Sequence, residues 1–286
     1  MTPLPLLGPA QPPWTPDLTI YDHIVVNSSA GKDSQAMLDF VVEKSDCLGI
    51  RARIVVLHCD LGLSPKGHPI EWPGTKELAQ EHAEHYGLRF IVVQRKVRGF
   101  LEEIEKRGMF PSSGQRYCTS YYKRDTAATA ITALAGEAGP VRAGSGQSPR
   151  ILQCFGFRAQ ESPRRRKMQP FYVDKRLSTS RKHVDVWLPI HTWLVEDVWA
   201  RIRQAGTRHH YAYDKGMTRL SCRFCIFAPR SQLIVSGREN PELLAEYVEL
   251  EKRIGHTFRV KQSLAEIQEA IAAGEVPGAD DGAWNM

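Results

Sequence analysis

The sequence predicts an α/β protein, a three-layer α/β/α arrangement around a mainly parallel five-stranded sheet, with a small helical C-terminal extension carrying a Cys-x-x-Cys pair. Three observations predict it. Short runs of β-branched and apolar residues recur between residues 23 and 190, each about the length of a buried strand. Segments with apolar residues at helical spacing separate them, and such alternation implies a parallel sheet covered on both faces. The 286-residue chain is 42% hydrophobic and 24% charged, a balance that allows a sizeable core and excludes collagen, coiled-coil and wholly disordered readings.

The elements follow in order. Residues 1–19 hold six prolines in the first sixteen positions and no basic start, so they predict a flexible leader rather than a signal peptide. HIVVN at 23–27 is the first strand, followed by a Gly-containing turn and the helical run SQAMLDFVVEK. RIVVLH at 53–58 is the second strand, 75–86 a helix, and RFIVVQ at 89–94 the third strand. Helices are expected near 98–107 and 119–135, then a Gly/Pro/Ser-rich loop over 136–150. ILQCFGF and VDVWLPI at 184–190 supply the last two strands, and VEDVWARIRQAG an amphipathic helix. The division expected is a leader to 19, an α/β nucleotide-binding domain over 20–202, and a helical extension over 203–286. No run approaches the roughly 18 apolar residues of a membrane span.

Charge is concentrated. The chain carries +6 overall, and the stretch from Arg158 to Lys182 alone carries nine basic and two acidic residues, so the remainder sums to −1. That segment is either a solvated loop or a seat for phosphates. Of six cysteines, Cys222 and Cys225 have the spacing that brings two thiolates to one metal or cluster; a buried or redox dithiol is the plainer alternative. Cys154 sits mid-strand, and Cys47 and Cys59 read as packing residues. Without an export signal a reducing, cytoplasmic setting is expected, where disulfides are rare. His209 and His210 read as a surface turn.

The turn after the first strand is the main chemical signal. SSAGKDS at 28–34 joins a strand to a helix, and small residues there let backbone N–H groups and the positive helix end approach an anion. Ser28, Ser29 and Ser34 offer hydroxyl donors and Lys32 a point charge. Neither the Walker nor the Rossmann glycine pattern is met.

SSAGKDS resembles the pyrophosphate-binding loop, S-G-G-x-D-S, of the PP-loop ATP pyrophosphatases, with Ala30 replacing the first glycine. HCDLG at 58–62 resembles their second-strand Asp element. RYCTSYYKRD, GFRAQESPRRR, WLPIHTWLVEDVWARI and YDKGMTRLSCRFC resemble successive motifs of the PAPS reductase-like branch. Within it the closest type is the DNA phosphorothioation sulfurtransferases of the Dnd and Ssp systems. The resemblance implies ATP with Mg²⁺ on Ser28, Ser29, Gly31, Lys32, Asp33, Ser34 and Asp60. It implies a [4Fe-4S] cluster on Cys118, Cys222 and Cys225, with Cys118 also catalytic. Lys32, Lys123, Arg124 and Arg158 would stabilise charge on phosphorus, while Arg164, Arg165 and Arg166 would track DNA. A cysteine desulfurase as sulfur donor and other phosphorothioation proteins are the implied partners. The competing readings are a reductase of a sulfated adenine nucleotide and a non-catalytic nucleotide-binding subunit. PAPS reductases use a cysteine near the C-terminus, and none follows Cys225 here.

Overall fold

The computed structural model describes residues 14–143 and 147–278. Its centre is a six-stranded sheet: β1 (His23–Ser28), β2 (Ile54–Asp60), β3 (Arg89–Gln94), β4 (Arg150–Cys154), β5 (Phe171–Val173) and β6 (His183–Trp187), in the order β3-β2-β1-β4-β6-β5. The five expected strands are all present and mutually parallel. The sixth, β5, is a correction. It lies inside the basic segment and pairs antiparallel with β6, Phe171 opposite Trp187. Three residues just after Pro170 are too short for a periodic signal, and an edge position tolerates that brevity.

Helices cover both faces. On one, Ile24, Val26, Ile54 and Val56 pack against Met37, Leu38 and Val41 of α1 (Lys32–Asp46), with Ala83 of α2 (Thr75–His85). Val198 and Ile202 of α7 (Val195–Ala205) join the same core. On the other face Val25, Val55 and Leu57 meet Ala127, Ile131 and Leu134 of α5 (Asp125–Ala143). Alternate residues of one strand thus enter opposite cores, the period-two rule of a sheet covered on both sides. Each fully buried aliphatic contributes ~1.5–3 kcal/mol, so these two layers carry most of the apolar stabilisation of the sheet. The fold is three-layer α/β/α around a mostly parallel six-stranded sheet, as the sequence predicts in all but the added edge strand.

α5 runs eight residues past the expected helix end, through what was expected to be a loop from 136; residues 144–146 of that loop lie outside the described residues. Upstream, α3 (Phe100–Arg107) precedes a single turn, α4 (Tyr117–Thr119), and a π-helical turn over Ser120–Arg124 that leads into α5. After β4 comes the four-residue α6 (Pro163–Arg166). Of the expected leader, residues 1–13 lie outside the described residues. Trp14 stacks on Phe171 with centroids 5.3 Å apart, and its carbonyl accepts from Trp187 Nε1. Leu18 is buried, so residues 14–19 are docked rather than free.

The C-terminal helices α8 (Arg230–Glu239), α9 (Pro241–Ile254) and α10 (Leu264–Ala272) share one core with the α/β body. Leu233, Leu243, Tyr247 and Ile267 pack with Ile70, Phe100, Ile104 and Tyr117. No helix among the described residues is long and apolar enough to cross a membrane.

Candidate active site

In an open parallel sheet the crevice lies where the strand order reverses, beyond the carboxyl ends of the strands. Here β1 has β2 on one side and β4 on the other, so the crevice falls at Ser28 and just after Cys154. A cavity of about 580 Å³ occupies that place, lined among others by Ser28, Ser29, Gly31, Asp33 and Ser34.

The loop is tightly made. Ser28 Oγ accepts from the Ala30 N–H (3.2 Å), and Ser34 Oγ accepts from the Ser29 N–H (3.2 Å) while donating to the Gly31 carbonyl (2.9 Å). Ala30 has φ 54° and is fully buried; this left-handed turn is the conformation a glycine adopts without strain. Gly156, just after β4, sits against the first turn of α1: a Cβ there would lie 2.9 Å from the carbonyl carbon and oxygen of Asp33. Asp33 Oδ1 accepts from Arg158 Nε at 2.5 Å. Burial opposes ionisation of Asp33, but Lys32 and Arg158 beside it hold its carboxyl below the usual carboxylate range.

The same cavity carries thiols. Cys118, Cys222 and Cys225 all line the cavity, with Lys123, Arg116 and Arg219. The π-helical turn over Ser120–Arg124 widens the helix between Cys118 and α5, and such turns recur at functional sites. A hydrogen bond from Cys222 brings the Cys225 thiol down to about 6, against burial; the Phe227 backbone, Arg219 and Lys123 assist. Cys222, the donor of that bond, is held well above the ordinary thiol range. Burial also raises Cys118. Lys123 is pushed down by burial but ends above the usual ammonium value, because Glu71, Cys222 and Cys118 favour its charge. Three thiols beside half-buried cations are the donor chemistry that thiolate-ligated clusters use. Among the described residues no group of three His, Cys, Asp or Glu side chains converges on a single ion. Cys154, the last residue of β4, is fully buried in the core that α1 covers, and Cys47 is exposed.

Other expectations are redistributed. Lys32 does not line the cavity; its ammonium donates to the Thr218 carbonyl at 3.0 Å and lies 3.3 Å from Asp33 Oδ2. Arg158 likewise does not line the cavity and is bonded to Asp33, Gln160 and the Trp193 carbonyl. Asp60 is outside the cavity too, its carboxylate accepting from the Gly62 N–H at 2.7 Å to close a turn. The expected backbone-tracking trio separates. Arg164 and Arg166 are exposed. Arg165 turns inward to pair with Glu161 and stack over the Phe157 ring at 4.2 Å. A second groove, of about 590 Å³, adjoins the cavity and is lined by Arg107, Arg116, Arg124 and Arg164 with no carboxylate. The Arg116 Nε is buried there without a hydrogen-bond partner.

Sequence reasoning passed over His58 and Glu71. His58 Nδ1–H donates to the Ser28 carbonyl at 3.0 Å, and its Nε2 lies 3.4 Å from Glu71 Oε2. Burial disfavours the imidazolium, but Glu71 raises His58 above the ordinary imidazole value. Glu71 in turn bridges by its backbone to Cys222. The position of His58 one residue before Cys59, in the second-strand motif, was the available signal.

A family model described as phosphoadenosine phosphosulfate reductase domain matches residues 23–228. An uncharacterized 37.8 kDa protein of Escherichia phage 186 is 28% identical over 194 residues, 66% of this chain and 54% of the phage protein. An uncharacterized protein of Methanocaldococcus jannaschii is 25% identical over 228 residues, 80% of this chain and 47% of its own length. The chain thus spans about half the length of the curated relatives it matches. Among solved structures, the phosphate complex of phosphoadenylyl-sulfate reductase from Candida auris aligns with a TM-score of 0.45 at 15% identity, covering 72% of this chain and 84% of that one.

Proposed function

The chain belongs to the phosphoadenosine phosphosulfate reductase domain family, and on that footing we propose that it is an ATP-dependent sulfurtransferase acting on a nucleic acid backbone phosphate, as in DNA phosphorothioation. The observation that carries the reading is the sharing of one cavity by the loop Ser28–Ser34 and the thiols of Cys118, Cys222 and Cys225. A sulfated-nucleotide reductase needs a single nucleophilic thiol at its nucleotide site, whereas three thiols beside the phosphate loop suit a sulfur site within reach of the nucleotide.

ATP seats its phosphates at the α1 N-terminus, with Mg²⁺ neutralising them. A non-bridging oxygen of the acceptor phosphate attacks the α-phosphorus, and pyrophosphate leaves. Sulfide, released from the persulfide of a cysteine desulfurase by a thiol reductant that supplies two electrons, then attacks the acceptor phosphorus, and AMP departs with the displaced oxygen. Lys123 and Arg124 face that charge from the cavity wall, while Arg158 holds Asp33 at the helix start. Cys118, Cys222 and Cys225 would hold a [4Fe-4S] cluster, whose three-thiolate ligation leaves one iron free for sulfide. Arg116, Arg124 and Arg164 give the acceptor strand a cationic path along the adjoining groove.

The test is incubation of anaerobically purified protein with ATP, sulfide and an oligonucleotide. AMP, pyrophosphate and sulfur-containing oligonucleotide are expected in equal amounts, with iron and sulfide in the protein. Absence of pyrophosphate in the presence of all three would end the proposal. The reductase reading has one observation in its favour, the depressed Cys225 thiol. Sulfite released from a sulfated nucleotide without ATP would establish it instead.

A further inference from the structure

An α-helix begins with N–H groups that lack intrahelical partners. The cap of α1, Gly31, has no side chain to offer. The Lys32 N–H instead donates to the Tyr213 hydroxyl at 2.8 Å, 181 residues along the chain. The Leu220 backbone makes a second hydrogen bond to the same hydroxyl. The Lys32 ammonium lies over the Tyr213 ring, 5.6 Å from its centroid, and donates to the Thr218 carbonyl at 3.0 Å. Both polar groups of Lys32 are therefore engaged by one stretch, Tyr213–Leu220, and that stretch runs directly into Cys222. Gln232 of α8 steadies it, accepting from the Thr218 N–H at 2.8 Å and donating to the Gly216 carbonyl at 3.0 Å. The fit is close: a Cβ on Gly31 would lie 3.3 Å from the Tyr213 oxygen and 3.4 Å from Leu220 Cβ.

The Lys32 backbone N–H is a donor a phosphate would use at this helix end. That single N–H cannot serve the phenol and a phosphate together. We propose that Tyr213 is a positioning residue: its hydroxyl latches the phosphate loop to the cysteine arm and yields to the nucleotide's phosphates, so that nucleotide binding loosens residues 213–225. The inference rests on the ATP reading above. An anionic phosphate oxygen makes a stronger, charge-assisted bond than a neutral phenol, so the exchange favours the nucleotide. Binding linkage is reciprocal; whatever the nucleotide does to the arm, loosening the arm does for the nucleotide.

The experiment uses the full chain and the α,β-methylene analogue of ATP, which cannot lose pyrophosphate. Amide hydrogen exchange is followed over residues 211–225, with analogue affinity measured in parallel. In the wild type the analogue is expected to speed exchange in that segment. Tyr213→Phe keeps the ring and removes the hydroxyl. It is expected to exchange fast with or without analogue and to bind it about fivefold more tightly, the net worth of one neutral hydrogen bond. Gln232→Ala, which frees the arm without touching the loop, is expected to shift both readouts the same way and by less. Equal or weaker binding by Tyr213→Phe, or exchange in the wild type indifferent to bound analogue, overturns the latch and leaves the ATP reading standing. No analogue binding by the wild type removes the ATP reading and the latch with it.

Discussion

His210 is 2% exposed, and both its ring nitrogens are engaged. Nδ1 accepts from the Ala212 N–H at 3.1 Å, and Nε2–H donates to the Pro73 carbonyl at 3.1 Å. Only the neutral ring satisfies both bonds. Burial, helped by Arg208 and His209, lowers its pKa to about 4. The folded value lies below the unfolded one, so as pH falls the unfolded chain takes up the proton first. The contribution is therefore complete above about pH 6.5 and is lost as pH descends toward 4, on the order of 3 kcal/mol. Urea melts at pH 7.5 and 4.5 are expected to show that loss, and His210→Gln to reduce it, since an amide can make both bonds without titrating. His209, its neighbour, pairs with Asp214 at the surface. The sequence reading of a surface turn suits His209 only, because the Pro73 carbonyl that encloses His210 is 137 residues away. Cys225 gives a second residue-level expectation. Its thiolate accepts from Cys222, so in iron-free protein Cys222→Ala should slow alkylation of Cys225 at pH 7 by about tenfold. An unchanged rate would assign the depression to another neighbour.

At the scale of elements, the junction of the β4 end with α1 is the most constrained contact near the site. Gly156→Ala places a methyl against helix backbone, which cannot rotate aside as a side chain tip can. Overpacking of this kind costs about 1–3 kcal/mol. The expected result is a lower melting temperature and at least a tenfold loss of ATP affinity, read by calorimetry; unaltered affinity would mean that the first turn of α1 shifts without consequence. The parallel strands and their helices were legible because HIVVN, RIVVLH and RFIVVQ carry their burial in local composition. β5 was not, because three residues show no period. The last eight residues of α5 were not either: Gly136, Gly139 and Pro140 read locally as breakers, while the packing of Ala127, Ile131 and Leu134 against the sheet sets the helix in place. The helix is set by that packing upstream of the breakers and propagates past them.

At the scale of the molecule, two cationic features converge on the cavity, and only one belongs to the segment that the charge count singled out. Arg164 comes from that segment; Arg107, Arg116 and Arg124 come from the α3–α5 region, where acidic neighbours mask them in any running sum. Arg116→Gln with Arg164→Gln is expected to reduce the slope of log affinity against log salt for an oligonucleotide by about 2. Fluorescence anisotropy across a salt series measures it, and an unaltered slope would place the strand elsewhere. The loop and the cysteines were legible as motifs; the Glu71–His58 link between them was not, since it exists only once β2 and the Cys222 arm are side by side. The matched family region stops at residue 228, yet Tyr117 and Phe224, which flank two of the cavity's thiols in sequence, are roofed by Leu233, Leu243, Tyr247 and Ile267. A gene trimmed at that boundary would keep every motif and strip the shelter from beneath the sulfur wall. Expression of such a fragment should give an aggregating product, and swapping this tail between relatives should demand that its aromatic counterparts travel with it.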